Sequence, residues 1–151
     1  MAGHTFTIAN SDNMEKYISK VLGEVDLGVQ EAINATIDKI GKEGAKMVRN
    51  KSPQKGTAEY ATGNYAKGWR YNATKRQADG SFSAVIHNAK YGWLTHLVEF
   101  SHPVFKKGPN GEKIVTRSKA TPHVAPTQEW LNTEGVKMLS DAINQEIQKI
   151  K

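Results

Sequence analysis

One pattern constrains this chain more than any other. Val29, Ile33, Ile37, Ile40 and Met47 recur three, four or seven residues apart, with Val48 beside them, and Ser52-Pro53 closes the run. Only an α-helix gathers positions so spaced onto one face, so the pattern predicts a helix of about 20–25 residues with one apolar stripe. The residue before Pro53 is pushed out of helical geometry, which ends it. Gly41 and Gly44 fall within the stripe. Each costs up to about 1 kcal/mol against Ala in a helix, and close backbone approach to another element is the expected compensation, with a kink as the second explanation.

The remaining segments have shorter signals. Residues 4–8 alternate polar and apolar as an edge strand would. Ser11-Asp12-Asn13 offers capping side chains ahead of Met14, Tyr17, Ile18, Val21 and Leu22, which predicts a first short helix ending near Gly23. Residues 54–64 have no period and read as a loop. Trp69, Tyr71 and Ala73 share one strand parity, Phe82, Ala84 and Ile86 another, and Ala78-Asp79-Gly80-Ser81 is a turn between them, so residues 66–89 form a β-hairpin. Residues 91–100 satisfy neither period cleanly and could be a strand or a helical turn, with a short helix favoured. Pro126-Thr127 opens a last helix whose core face is Trp130, Leu131, Val136, Leu139, Ile143, Ile147 and Ile150.

Residues 101–125 are long for a loop without structure of its own. Val104-Phe105 and Ile114-Val115 flank a Gly108-Pro109-Asn110-Gly111 tip, which makes an extended hairpin arm. A lone two-stranded ribbon is marginal in water, so this arm is expected to acquire stability against a neighbouring subunit or to stay disordered until assembly. The whole reads as one α+β domain over residues 1–151: long helices packed on a small antiparallel sheet, with an arm at about 101–125.

Charge is concentrated in the middle. Residues 49–119 hold thirteen basic and four acidic side chains, a net of +9, whereas the whole chain is +6. Such a patch attracts phosphates or an acidic protein, or merely solvates a loop region. The chain has no Cys, which excludes disulfides, thiolate metal sites and cysteine nucleophiles. No apolar run reaches the roughly 20 residues of a bilayer span, and the first residues do not resemble a signal peptide, so a protein made in a cytoplasm without a membrane partner is expected.

The five His show no metal-ligand spacing; only His96 and Glu99 would meet, one helical turn apart. No nucleophile elbow and no phosphate loop is present, so neither enzyme chemistry nor a cofactor is expected. Two alternatives stay open. Trp69-Arg70-Tyr71 with Lys75-Arg76 would suit base stacking if it faced water, although the same alternation arises when Trp69 and Tyr71 face the helices. A small ribonuclease would use His87, His96 or His123 with Arg70 or Arg76.

Three fragments in order then matter: Pro53 with Thr62-Gly63; Tyr91 on to Val98-Glu99-Phe100; and Thr121-Pro122-His123-Val124-Ala125-Pro126. Over about residues 25–145 the chain resembles the tail-component family of long-tailed, double-stranded DNA bacteriophages. The pattern there is a helix ending in Pro, a Thr-Gly, a Tyr-Ala-x-x-Val-Glu-Phe-Gly stretch and a Pro-His-Pro lead-in to a final helix. Here Gly92, Ser101 and Val124 stand where that pattern has Ala, Gly and Pro. The resemblance implies a virion protein of the neck or tail end, a tail-completion, tail-terminator or head–tail joining subunit, forming a homo-oligomeric ring, a hexamer or dodecamer. Its implied neighbours are neck and tail-tube proteins, with DNA passing through the lumen. The expected interface comprises Thr62, Gly63, Glu99, Phe100, Val104, Phe105, Lys106, Lys107, Lys113, Arg117, Lys119 and His123. In it Glu99 would pair with a basic side chain of a neighbour, or else stay solvated.

Overall fold

The apolar stripe lies on a single helix, α1 (Ser11–Lys51), longer than its spacing predicts. The computed structural model describes residues 11–57, 61–73, 78 and 82–150. The expected edge strand at residues 4–8 lies outside these, as do Lys75, Arg76 and most of the turn expected at residues 78–81. The separate first helix is not formed, because Gly23 keeps a helical backbone instead of the left-handed one that would end a helix there. At the other end the backbone N–H of Ser52 donates to Val48 O at 3.0 Å, and its hydroxyl donates to the same carbonyl at 2.7 Å. Pro53 prevents a further turn.

A short helix, α2 (Asn64–Lys67), leads into β1 (Trp69–Ala73), which pairs antiparallel with β2 (Ala84–Asn88). Tyr71 stands opposite Ile86, and Trp69 opposite Asn88. This hairpin lies against α1 where the two glycines occur. A Cβ on Gly41 would sit 2.7 Å from Cδ2 of Tyr71, and one on Gly44 would sit 2.5 Å from Cδ1 of Ile86. Both distances are below van der Waals contact, so close approach accounts for the glycines. Trp69, Ala45, Val48 and Ala66 are buried.

After a 3-10 turn (Gly92–Leu94) comes α3 (Thr95–Glu99), the short helix expected at residues 91–100. The arm follows as β3 (Pro103–Lys107) and β4 (Lys113–Arg117), joined by a tip in which Gly111 adopts φ 83° and its N–H donates to Gly108 O. The final helical run is α4 (Val124–Trp130), a single π turn (Leu131–Gly135) and α5 (Val136–Gln148). It starts two residues before Pro126, which still lies in the first turn, where the missing N–H does no harm.

This run is antiparallel to α1: Gly44 lies beside Leu131, Gly135 beside Ile40, and Gly28 beside Glu146. Leu139 and Ile143 turn towards α1, but Val136 is 59% exposed, Ile147 45% and Ile150 47%, so these three do not belong to the core face. Val136 and Ile147 flank the stripe through Gly135, Leu139, Ile143 and Glu146, and Ile150 lies beyond the helix end. The architecture is α+β, with long helices packed on a small antiparallel sheet and a separate two-stranded arm.

Candidate functional site

The arm leaves the body at Glu99 and returns at His123, and these two residues are joined beneath it. Glu99 is 6% exposed and His123 fully buried. One carboxylate oxygen of Glu99 accepts from the backbone N–H groups of His123 at 2.8 Å and Val124 at 2.9 Å, and the other from Ala125 at 2.9 Å. Those are the free amides at the start of α4, and the next residue, Pro126, has none to offer. Glu99 therefore caps a helix that begins 25 residues later. The Glu99 carboxylate also lies 2.9 Å from Nδ1 of His123.

That nitrogen is 2.7 Å from Thr121 O, so it faces two acceptors and bears the proton. Nε2 lies 2.7 Å from the hydroxyl of Tyr65, whose ring, with those of Trp69 and His123, forms an edge-to-face cluster with centroids 5.5 to 6.0 Å apart. Tyr65 Oη also lies 3.3 Å from Thr95 Oγ1. Burial alone would raise the Glu99 carboxyl, but the three backbone N–H groups and the adjacent His123 ring hold it below the ordinary glutamate value. Burial pushes the Tyr65 phenol up. Two further backbone bonds close the base, Ser118 N–H to His102 O and Thr121 N–H to Val98 O, each 2.9 Å.

Above this clamp the ribbon has two unlike faces, fixed by its register. Val104, Thr116, Lys106 and Ile114 share one. Of these, Val104, Lys106 and Thr116 line an open groove of about 850 Å³ against Pro53, Thr57 and Leu97. The opposite face places Phe105 beside Val115, each 60% exposed, with Pro103 and Arg117 towards the base and Lys107 and Lys113 towards the tip. Nζ of Lys113 lies 3.9 Å from the centroid of the Phe105 ring. The only extensive packing of either strand among the described elements is on the other strand.

The expected interface residues thus divide. Phe100, Phe105, Lys106, Lys107, Lys113, Arg117 and Lys119 are exposed, and Val104 half-buried. Thr62 is exposed and accepts from Asn64 N–H, while Gly63 is buried with φ 80°. Glu99 and His123 have almost no surface, so they act on the arm from below; Glu99 is not solvated, and its side-chain partner among the described residues is His123. Tyr65 and Ser52 escaped the sequence reading. Ser52 receives the indole N–H of Trp69 at 2.9 Å, and Tyr71 donates to Asp38 at 3.0 Å, so Trp69 and Tyr71 both face α1 and offer no stacking platform to solvent. A helix start without its own Ser, Thr, Asp or Asn cap at position 123 was the one signal that an outside acceptor was needed.

Among the described residues no group of three or more His, Asp or Glu is placed to hold a metal ion, and no helix is long and apolar enough to cross a membrane. The segment from α1 through α3 is that of a bacteriophage tail component. The chain belongs to the family described as "Bacteriophage HK97-gp10, putative tail-component", whose model matches residues 12–100. Membership implies a place in the virion. Two of the three sequence fragments lie within that match, and the arm and last helices come after it. Comparison with curated proteins found no match, and comparison with solved structures found none either.

Proposed function

We propose that this chain is a non-enzymatic subunit of an oligomeric ring at the neck or tail end of a long-tailed phage, where it completes, terminates or joins the tail, and that it assembles through its arm. The observation that carries this reading is the exposure of Phe105 and Val115 side by side on a ribbon that has no extensive packing on any other described element. Burying such side chains is worth about 1.5–3 kcal/mol each, a gain that the subunit leaves unrealised by itself. Further copies of the chain, in a hexamer or dodecamer, cover the arm; neck and tail-tube proteins meet the ring above and below; and DNA passes through its lumen. The arm and the 54–64 loop select the neighbours. The chain acts as one domain, assembled in the host cytoplasm and retained in the virion.

The test is the mass of the purified protein in solution, followed by addition of neck and tail-tube proteins and electron microscopy of the products. Rings, or subunits captured at tube ends with arm amides protected from hydrogen exchange, are expected. A monomer that ignores both additions overturns the reading.

A further inference from the structure

We propose that the outward face of the arm docks on the Leu27 face of α1 in a second copy of this chain. The inference rests on the ring reading and names the two surfaces that meet. On the arm, an apolar centre of Phe105 and Val115 is bordered towards the tip by Lys107 and Lys113, while Arg117 at the base is bonded to Ser101. Lys107 and Lys113 are direct cross-strand partners, and like charges so placed are mutually destabilising. A carboxylate arriving from outside relieves that repulsion.

The complementary surface is on α1. Residues 21–38 contain Glu24, Asp26, Glu31 and Asp38 and no Lys or Arg. Asp38 is engaged by Lys42 and Tyr71, but Glu24, Asp26 and Glu31 are exposed. Leu27 is 61% exposed, and helical spacing puts it on one face with Glu24 three residues before it and Glu31 four after. An apolar centre between carboxylates therefore matches an apolar centre beside cations. Lys20 stands 3.8 Å from Glu24, with both side chains mostly in solvent, and such a pair yields readily to a better-covered partner.

Geometry assigns the two surfaces to different copies. The base of the arm lies by the end of α1, where Pro53 and Thr57 line the same groove as Val104 and Thr116. Leu27 is 24 residues back from Lys51, about 36 Å along a helix at 1.5 Å per residue. Five-residue strands reach only about 17 Å. A subunit's arm falls short of its own Leu27. Two unlike surfaces of one chain meeting head to tail give a heterologous contact, which closes into a ring when its rotation allows. Lys113 lies over one face of the Phe105 ring, and the surface that remains open suits an aliphatic side chain such as Leu27 better than a stacked base, which favours a protein occupant over nucleic acid.

The test is a charge exchange on the full chain, read by sedimentation velocity over protein and salt concentration, with thermal melts to confirm folding and retention of duplex DNA as a parallel readout. Lys107→Glu with Lys113→Glu, and separately Glu24→Lys with Glu31→Lys, are each expected to weaken self-association roughly 100-fold with melting unchanged. All four substitutions in one chain are expected to restore it. The inference is overturned if the fourfold variant stays as weak as either pair, if neither pair affects assembly, or if the lysine pair alters DNA retention alone. Wild-type rings with indifferent variants sink only this pairing of surfaces. A wild-type chain that stays monomeric, with or without neck and tube proteins, sinks the ring reading and this one with it.

Discussion

The hydroxyl of Tyr65 and Nε2 of His123 lie 2.7 Å apart across 58 residues of sequence, and this bond ties the helix before the hairpin to the returning end of the arm. Trp69 packs edge-on against both rings and anchors its own indole N–H on Ser52, at the end of α1. The hairpin, the end of the long helix and the base of the arm therefore share one buried cluster.

Tyr65→Phe keeps the ring and leaves Nε2 of a fully buried imidazole without its partner. A loss of about 1–3 kcal/mol in folding stability is expected, from the desolvation of an unsatisfied polar atom. Urea denaturation at neutral pH measures it, and an unchanged midpoint would contradict the assigned bond.

Glu99→Gln replaces one of the two oxygens that accept backbone N–H groups with an NH2 group, which cannot accept. A loss of about 2–3 kcal/mol is expected above pH 5. The sign with pH comes from the lowered Glu99 value: its contribution is fully present above the ordinary glutamate value of 4.5 and is lost as pH falls through the lower folded one. The stability gap between wild type and variant should narrow on acidification. A gap that widens would show that the carboxylate is not the form the fold prefers.

The glycines of α1 should separate under substitution. Gly41→Ala sets a methyl group 2.7 Å from a Tyr71 ring held in place by Asp38, so about 1–3 kcal/mol of overpacking outweighs the helix-propensity gain of about 1 kcal/mol. Gly23→Ala meets nothing within 4 Å and should stabilise by up to about 1 kcal/mol. Thermal melts of the two variants should move in opposite directions.

Phe105→Ser with Val115→Ser changes exposed side chains and should leave the melting temperature nearly unchanged, within about 0.5 kcal/mol of stability. The same variant should fail to form rings or to bind tube ends. Assembly at wild-type concentration would remove the arm from the interface.

Much of this architecture was legible because it arises from local periodicity. The stripe through Ile33, Ile37 and Ile40 needs only a 3.6-residue repeat, and the shared parity of Tyr71 with Trp69 and of Ile86 with Ala84 needs only a pleat. Gly41 and Gly44 announced a close neighbour before the neighbour was known. Glu99 was not legible, since a carboxylate beside a Phe looks the same in sequence whether it meets water, a cation or a helix terminus many residues away. The length of α1 was missed for a related reason: Gly23 lowers helix propensity but does not itself terminate a helix, and here the backbone on both sides of it stays helical. The π turn shows no local signature, and the exposure of Val136 depends on which part of α5 meets α1.

The Glu99–His123 clamp also has a consequence for how this protein can change. Both ends of the arm are held by the same buried carboxylate and ring, so the chain between them is a closed loop whose two strands pack mainly on each other, and changing its length alters closure entropy only slowly. The ribbon is in effect an interchangeable cassette: its sequence can diverge to follow a changing neighbour while the helices and hairpin beneath it stay as they are.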